Sequence, residues 1–488
     1  MGPAGGTTKA IDIDGYSDGA NSINLSDVGF LLTATSLCNN NQSECFTIMN
    51  TDGEGNVINR VQYQNYPWWI TAGTPHGNVG VAIHEEAGLY FSGTIESGED
   101  QFDVFLMKTD KQGDSLWMKI YGSNIWEVNN TIMFSSDTSL IMLNATSEIE
   151  NKYLVWLIQI DLQGNILWEK ILGENFKSAS AQDIIRADNG DIVISYLTSE
   201  YNVPSTPYSM TVTRLNPQGN IKWTNSFASY DGFLGGTSTS LIQLDNNGFL
   251  VTYKRDAFPA PYPYPPIMVW LDSLGNVVQQ YDFPANRELF ITDLIKSSEG
   301  LIIGTGYGYF NLFGEGYGYG GWIFAFTQEG VLLWERYIAD LNFPDKISWL
   351  SAIRETENKG FAIGGQIKTP TGYDIWLVKL DSMGCFEPEC EGQFQVLTDG
   401  LEVIKPDPPA FKIYPNPSSQ GFLNIETRYG TIDKSGFTIR VSDLTGKTVK
   451  QQPYKPVIDI SGLVKGIYFL TVHRNEGEKI FTEKIVVQ

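Results

Sequence analysis

The sequence predicts an all-β chain: a closed ring of seven four-stranded units, then a small β-sandwich. Three observations carry this expectation. First, a turn of the form Asp-x-x-Gly between two apolar, strand-like segments returns seven times, with its glycine at Gly55, Gly113, Gly164, Gly219, Gly275, Gly330 and Gly384. The separations are 58, 51, 55, 56, 55 and 54 residues, a fixed period that marks a repeat architecture. Second, roughly 25 residues before each of these turns comes another short turn that leads into an apolar strand, so each unit holds two hairpins. Third, the chain changes character after residue 410, where short alternating strands take over. Seven units of four strands describe a seven-bladed β-propeller over residues 7–390; residues 391–410 read as a Pro-containing linker and 411–488 as the sandwich.

The strands entering from the second turn are Gly29 to Leu32, Gly88 to Phe91, Ser139 to Met142, Gly190 to Val193, Gly248 to Val251, Gly300 to Ile303 and Gly360 to Ile363. Leu140 to Leu143 and Leu301 to Ile303 are continuous apolar runs. Strands covered on both faces read this way, as they are when each sheet lies between two others.

The recurring turn has a chemical reason. Asp52, Asp110, Asp161, Asp272 and Asp381, with Asn216 as a substitute, are placed to accept hydrogen bonds from turn amides. The glycine three residues on supplies the positive φ of a short hairpin. Trp117, Trp168, Trp223 and Trp334 follow that glycine by four residues; Phe105, Trp156, Trp322 and Trp376 stand five before the Asp-equivalent position. Columns repeated in unit after unit are read as packing between blades and not as ligand contacts.

The ends of the array fit together. The seventh unit runs through Trp376 and Gly384 and then breaks into Cys385 to Cys390, a poor strand, while residues 7–15 look like a fourth strand with no unit in front of them. Pairing the spare strand with the last unit closes the ring and removes a bare edge.

Composition bounds the function classes. Apolar residues make up 42% of the 488, enough for packed cores, and no run approaches the roughly 18 apolar residues of a membrane span. Net charge is −23, which repels nucleic acid. Residues 411–488 hold 11 Lys/Arg and 7 Asp/Glu, a surplus of +4, leaving −27 on the rest. Residues 1–6 have neither a charged nor an apolar signal region; they read as an added or unstructured tail, and no signal peptide is visible.

The four cysteines form two close pairs, Cys38 with Cys45 and Cys385 with Cys390. A disulfide in each pair, suited to an oxidising compartment, is the favoured reading; a metal site is the other. His76, His84 and His473 show no zinc spacing, and no Gly-x-Ser-x-Gly elbow is present. The run from Asp12 to Asp18 faintly resembles a calcium loop without the rest of an EF-hand ligand set, so no cofactor is expected, with calcium there as the alternative. Asp114-Ser115, Asp272-Ser273 and Asp381-Ser382 resemble O-glycosylation sites of secreted Bacteroidetes proteins, although turn chemistry alone explains them.

The repeat, with its Trp-Leu-Val-Lys-Leu-Asp-like strand and Gly-Asn-Ile-x-Trp turn exit, resembles the β-propeller found ahead of sorting domains in secreted Bacteroidetes proteins. It also resembles the tryptophan motif of quinoprotein propellers, with a turn one residue shorter. The C-terminal resemblance is more specific. Tyr414, Pro415, Asn416 and Pro417 open the segment; the Asp443 turn with Gly446 and Lys447, the Gly466 and Tyr468 strand, and a final Lys-x-Val-Val follow. This order is similar to the type A C-terminal sorting domain of the type IX secretion system. The resemblance implies a signal peptide removed earlier, export across the outer membrane, and contact of residues 411–488 with the type IX translocon and its outer-membrane shuttle. It implies in turn removal of the domain, with attachment to the cell surface or release.

What the ring does is a separate question. The leading expectation is a non-enzymatic binding or adhesion module for an unknown glycan or protein ligand. The alternatives are a scaffold component of a surface assembly, or an enzyme acting on glycans with a cluster of acids near the ring axis. The expected ligand contacts are tyrosines in two unusual connections: Tyr262 and Tyr264 in the Pro-rich stretch 258–266, and Tyr307, Tyr309, Tyr317 and Tyr319 in 307–319. Tyrosine offers a flat apolar face with a polar tip, suited to sugar rings or a protein surface.

Overall fold

A computed structural model describes residues 7–11, 18–38, 43–63, 80–84, 88–98, 101–111, 113–123, 126–149, 152–176, 178–199, 208–230, 240–254, 266–283, 288–311, 317–340, 347–369, 372–386, 390, 394–397, 411–427, 437–443, 447–474 and 478–488. All regular structure among them is β, and no helix there is long and apolar enough to cross a membrane.

Seven antiparallel sheets follow one another over residues 18–63, 80–121, 126–172, 178–230, 241–282, 288–340 and 348–380. Sheets one to six each take four consecutive strands in simple up-and-down order. Sheet seven has three strands of its own. Thr7–Ile11 pairs antiparallel with Tyr373–Leu380 as its fourth, placing Ala10 opposite Trp376. The spare strand therefore closes the last unit, as its sequence predicts.

The ring is visible in the cores. Phe46 and Ile48 of sheet one pack with Phe91 and Phe105 of sheet two, and Leu106 of sheet two with Met142 and Ile158 of sheet three. Leu157 shares a core with Ile194, Val212 with Val251, and Met268 with Phe324. Ile323 shares a core with Ile363 of sheet seven, and the core of Leu377 of sheet seven with Ile23 and Leu32 of sheet one completes the circuit. Each sheet is buried on both faces, which explains the unbroken apolar runs.

The Asp-x-x-Gly turns are built as the sequence suggests. Asp161 Oδ1 accepts the N–H of Gln163 at 2.9 Å and of Asn165 at 2.8 Å, while Gly164 takes φ +78°. Asp52, Asp272, Asp381 and Asn216 repeat the pattern. The glycines also make room for the preceding unit. A Cβ at Gly164, Gly219, Gly275 or Gly384 would meet the ring of Trp117, Trp168, Trp223 or Trp334 of the preceding sheet. The tryptophan column thus lies against the neighbouring turn, filling the space between sheets.

Residues 411–488 form a sandwich. Phe411–Tyr414, Phe422–Thr427 and Val457–Asp459 make one sheet; Thr448–Pro453, Thr438–Ser442, Gly466–Arg474 and Glu478–Val487 make the other. Phe411, Leu423, Ile439, Ile458, Leu470 and Ile485 lie between them.

One difference from the sequence reading emerges, and the expected Cys385–Cys390 disulfide is present. Phe394–Leu397, expected to be linker, is a strand that pairs parallel with Leu332–Asp340 as a fifth member of sheet six. Cys385 and Cys390 are bonded, with Cα atoms 5.7 Å apart. Cys45 is also disulfide-bonded and buried, while the side chain of Cys38 lies outside the described residues. Residues 1–6, His76 and the calcium-loop-like run from Asp12, apart from the backbone of Asp18, lie outside them as well.

Candidate ligand-binding site

The tyrosines of 307–319 do not sit on a loop. Ile302–Asn311 and Tyr317–Phe326 are paired strands that carry most of the segment, with Tyr309 opposite Tyr319 and Tyr307 opposite Gly321. Glycine and tyrosine alternate here, and a strand has period two. The alternation therefore sends Tyr307, Tyr309 and Tyr319 to one face, toward sheet seven. The glycines are required by space. A Cβ at Gly306 would collide with the Phe290 carbonyl, and one at Gly321 with Leu350.

The three tyrosines join a larger aromatic surface. Phe290 stacks on Tyr307 with ring centres 4.5 Å apart and planes 10° from parallel. Tyr307 lies 5.9 Å from Trp349 and 6.1 Å from Tyr319, and Tyr319 lies 5.0 Å from Tyr309. Trp349 in turn stacks on Tyr373 at 5.4 Å and 16°, and the Lys368 ammonium sits 4.6 Å over the Tyr373 ring. Tyr309 is 42% exposed, whereas Tyr307, Tyr319, Trp349, Phe290 and Tyr373 are half-buried. Burial, reinforced by Tyr319 and Glu288, pushes the Tyr307 hydroxyl above the usual phenol range, so it stays a neutral donor.

These rings lie where first strands begin, second strands end and third strands begin. That is the rim opposite the Asp-x-x-Gly turns. Tyr307, Tyr309 and Tyr319 are brought together as expected. Of the others, Tyr317 is described only in its backbone, and Tyr262 and Tyr264 lie outside the described residues. Phe290, Trp349 and Tyr373 were not among the sequence candidates. Trp349 and Tyr373 belong to the next unit, and no local spacing ties them to Tyr307.

Two acids of the first strands, Asp183 and Asp293, are engaged with the neighbouring sheet. The first strands of neighbouring sheets pack side by side. Asp183 of sheet four accepts the N–H of Leu241 in sheet five at 2.7 Å and of Ile184 at 2.7 Å. Asp293 of sheet six accepts the N–H of Ile353 in sheet seven at 3.0 Å and Arg354 at 2.9 Å. Each carboxylate staples its sheet to the next. Desolvation, opposed by the two N–H bonds, pushes Asp183 up to about 7. No group of three or more metal-ligating side chains occurs among the described residues.

The sandwich has its own site. Asn416 Oδ1 accepts the N–H of Val486 at 2.9 Å, Ser418 N–H donates to the Val486 carbonyl at 2.8 Å, and Gln488 N–H donates to the Ser418 carbonyl at 2.9 Å. The Tyr414 to Pro417 opening is therefore fastened to the last strand. Both Tyr414–Pro415 and Asn416–Pro417 are cis, and Tyr414 is exposed. Lys447 N–H donates to Asp443 Oδ1 at 3.1 Å, the same turn chemistry as in the ring, with Gly446 outside the described residues. Tyr468, two residues past Gly466, is buried and donates through its hydroxyl to the Val464 carbonyl at 2.8 Å.

No curated protein matches the chain in sequence. Among solved structures, a polysaccharide lyase Uly1 is 10% identical, with TM-score 0.47 over 75% of this chain and 90% of that one. A puromycin hydrolase is 11% identical, with TM-score 0.49 over 83% of this chain and 58% of that one. A protein of unknown function from Dyadobacter fermentans DSM 18053 is 7% identical, with TM-score 0.40 over 65% and 96%. Residues 412–488 match the family described as Secretion system C-terminal sorting domain. The chain thus carries at its C-terminal end a sorting domain of the type IX secretion system, which marks it as cargo for export across the outer membrane to the cell surface or beyond.

Proposed function

We propose that the exported ring is a non-enzymatic carbohydrate-binding module, with its ligand seated on the aromatic rim of sheets six and seven. One observation carries this reading: Tyr307, Tyr309, Tyr319, Trp349 and Tyr373, from two sheets, form one continuous aromatic surface that reaches solvent at Tyr309. Stacked rings held by the strands of a rigid ring lose little freedom on binding. Aromatic faces take the apolar faces of sugar rings, while tyrosine hydroxyls and the Lys368 ammonium supply donors for sugar oxygens. The charge of −27 outside residues 411–488 disfavours polyanionic ligands.

Affinity electrophoresis through gels containing neutral polysaccharides (β-glucan, xylan, mannan) tests it. Retardation of the intact protein by at least one polymer, lost in Trp349→Ala and Tyr309→Ala, is the expected result. Equal mobility of the intact protein in all gels refutes the reading.

A further inference from the structure

A second aromatic group lies at the same end of the strands of sheet three. Trp126 begins the first strand and Tyr153 stands at the start of the third, with ring centres 5.2 Å apart. Both are linked through the second strand, Trp126 opposite Ser147 and Ser147 opposite Tyr153. Trp349 and Tyr373 likewise lie near the starts of the first and third strands of sheet seven, with Trp349 opposite Gln366, two residues deeper in its strand than Trp126. Phe102 of sheet two adds its ring 6.5 Å from Trp126. Tyr153 is 40% exposed. By strand direction this group lies on the same rim as the first, three units away around the ring.

Polar acceptors accompany the rings. Glu127, next to Trp126, is 3% exposed, and its Oε1 accepts the Ser123 hydroxyl at 2.7 Å. Asp103, next to Phe102, adjoins the Glu127 carboxyl. Glu127 Oε2 and Asp103 Oδ1 are buried with no donor among the described residues. Acidic side chains behind the rings disfavour an anionic ligand and suit a neutral one that brings hydroxyl groups. Burial, opposed by hydrogen bonds from Ser123 and reinforced by the neighbouring Asp103 carboxyl, raises the Glu127 carboxyl.

We propose that Phe102, Trp126 and Tyr153 form a second carbohydrate station, and that one neutral polysaccharide chain engages both stations of the rim. The inference rests on the binding reading above and extends it from a single site to a long polymer. Two linked contacts make the second binding event intramolecular, so a polymer is held far more tightly than a short sugar.

Isothermal titration with cellohexaose, xylohexaose and mannohexaose, and with their parent polymers, tests it on the full chain. For the hexasaccharide that binds, two are expected per intact protein and one in either Trp126→Ala or Trp349→Ala. Affinity for the polymer falls about ten-fold or more in each variant. Tyr153→Ala, an exposed position, serves as the second variant if Trp126→Ala loses its fold by thermal melting. A stoichiometry of one, abolished by Trp349→Ala and unchanged in Trp126→Ala and Tyr153→Ala, overturns the second station and leaves the first intact. No heat from any of these sugars overturns both.

Discussion

Asn416 reaches across the sorting domain to accept the backbone N–H of Val486 at 2.9 Å, so the first motif of the domain holds its last strand. Ser418 adds two backbone bonds to the same strand, to Val486 and Gln488. The motifs at the two ends of the domain are therefore one structural unit. Asn416→Ala leaves the exposed Val486 amide to water, at a cost of about 0.5–1.5 kcal/mol. Hydrogen exchange of the C-terminal peptide in the full chain should accelerate by roughly two- to ten-fold, with peptides of the ring unchanged. Unchanged exchange at Val486 contradicts the clasp.

Ring closure gives a second expectation. Deleting residues 1–11 removes the strand that pairs with Tyr373–Leu380, along with the hydrogen bond from Trp376 Nε1 to Thr8 Oγ1 at 2.7 Å. It bares a sheet edge and uncovers Ile375 and Leu377. The melting temperature should fall by several degrees and the protein should self-associate, as read by calorimetry and light scattering. An unshifted transition shows that the strand is dispensable.

How far could this be read from the chain alone? The repeat was legible because every unit needs the same backbone turn, and the turn needs a glycine at positive φ. Closure was legible because a missing strand and a spare one are both local facts. The aromatic rim was legible only in part. Tyr307, Tyr309 and Tyr319 stand out as an unusual stretch, yet their glycine alternation makes them strand residues. Trp349 and Tyr373 come from the next sheet, and Phe102 and Trp126 meet across two sheets. Such partnerships leave no spacing in the sequence. The axial staples were invisible for the same reason: Asp183 and Asp293 occur in two units only, and their acceptor role depends on the neighbouring first strand.

Asp191 supplies a buried ionic test. It is 2% exposed and holds Arg214 Nε at 2.7 Å, itself 11% exposed, and Lys222 Nζ at 2.7 Å. Desolvation opposes its charge, but hydrogen bonds from Lys222, Asn189 and Arg214 prevail and hold the carboxyl below the usual range. Its contribution is thus complete at neutral pH and lost only in strong acid, as the pH falls through the lowered folded value. Asp191→Ala leaves Arg214 buried without its carboxylate and should cost about 3–5 kcal/mol by urea unfolding at pH 7. A loss under about 1 kcal/mol, the size of a surface pair, counts against the buried network.

Asp183 runs the other way. Desolvation lifts its carboxyl to about 7 from the ordinary 3.8, against the N–H bonds of Leu241 and Ile184; Asp293 adds to the rise and Arg354 opposes it. Between those values the folded protein binds a proton that the unfolded chain does not. The group's stabilisation is therefore present below the unfolded value, declines as the pH rises toward 7, and is flat above. Asp183→Asn should flatten the fall in melting temperature between pH 5 and pH 8 relative to the parent protein. Parallel pH profiles for the two proteins argue that Asp183 titrates normally.

Two glycines with the same backbone separate the conformational role of the turn from its packing role. Gly190 and Gly275 both have φ +83°. A Cβ at Gly190 would find its nearest neighbour, Pro217 Cγ, at 3.9 Å, an ordinary contact. At Gly275 it would meet Trp223 Cζ3 at 2.6 Å and Asn225 Nδ2 at 2.8 Å. Alanine at either site carries the left-handed penalty of about 1–2 kcal/mol. Only Gly275→Ala also overpacks the seam between sheets four and five, for about 1–3 kcal/mol more. Trp223 cannot easily withdraw, because its Nε1 donates to the Ser273 carbonyl at 3.2 Å. Denaturant unfolding should therefore rank Gly275→Ala below Gly190→Ala. Adding Trp223→Ala should recover the packing part of the Gly275→Ala loss, giving a double-mutant coupling of the same size. Equal losses at the two glycines, or additive effects with Trp223→Ala, would show that the tryptophan column does not require glycine in the next turn.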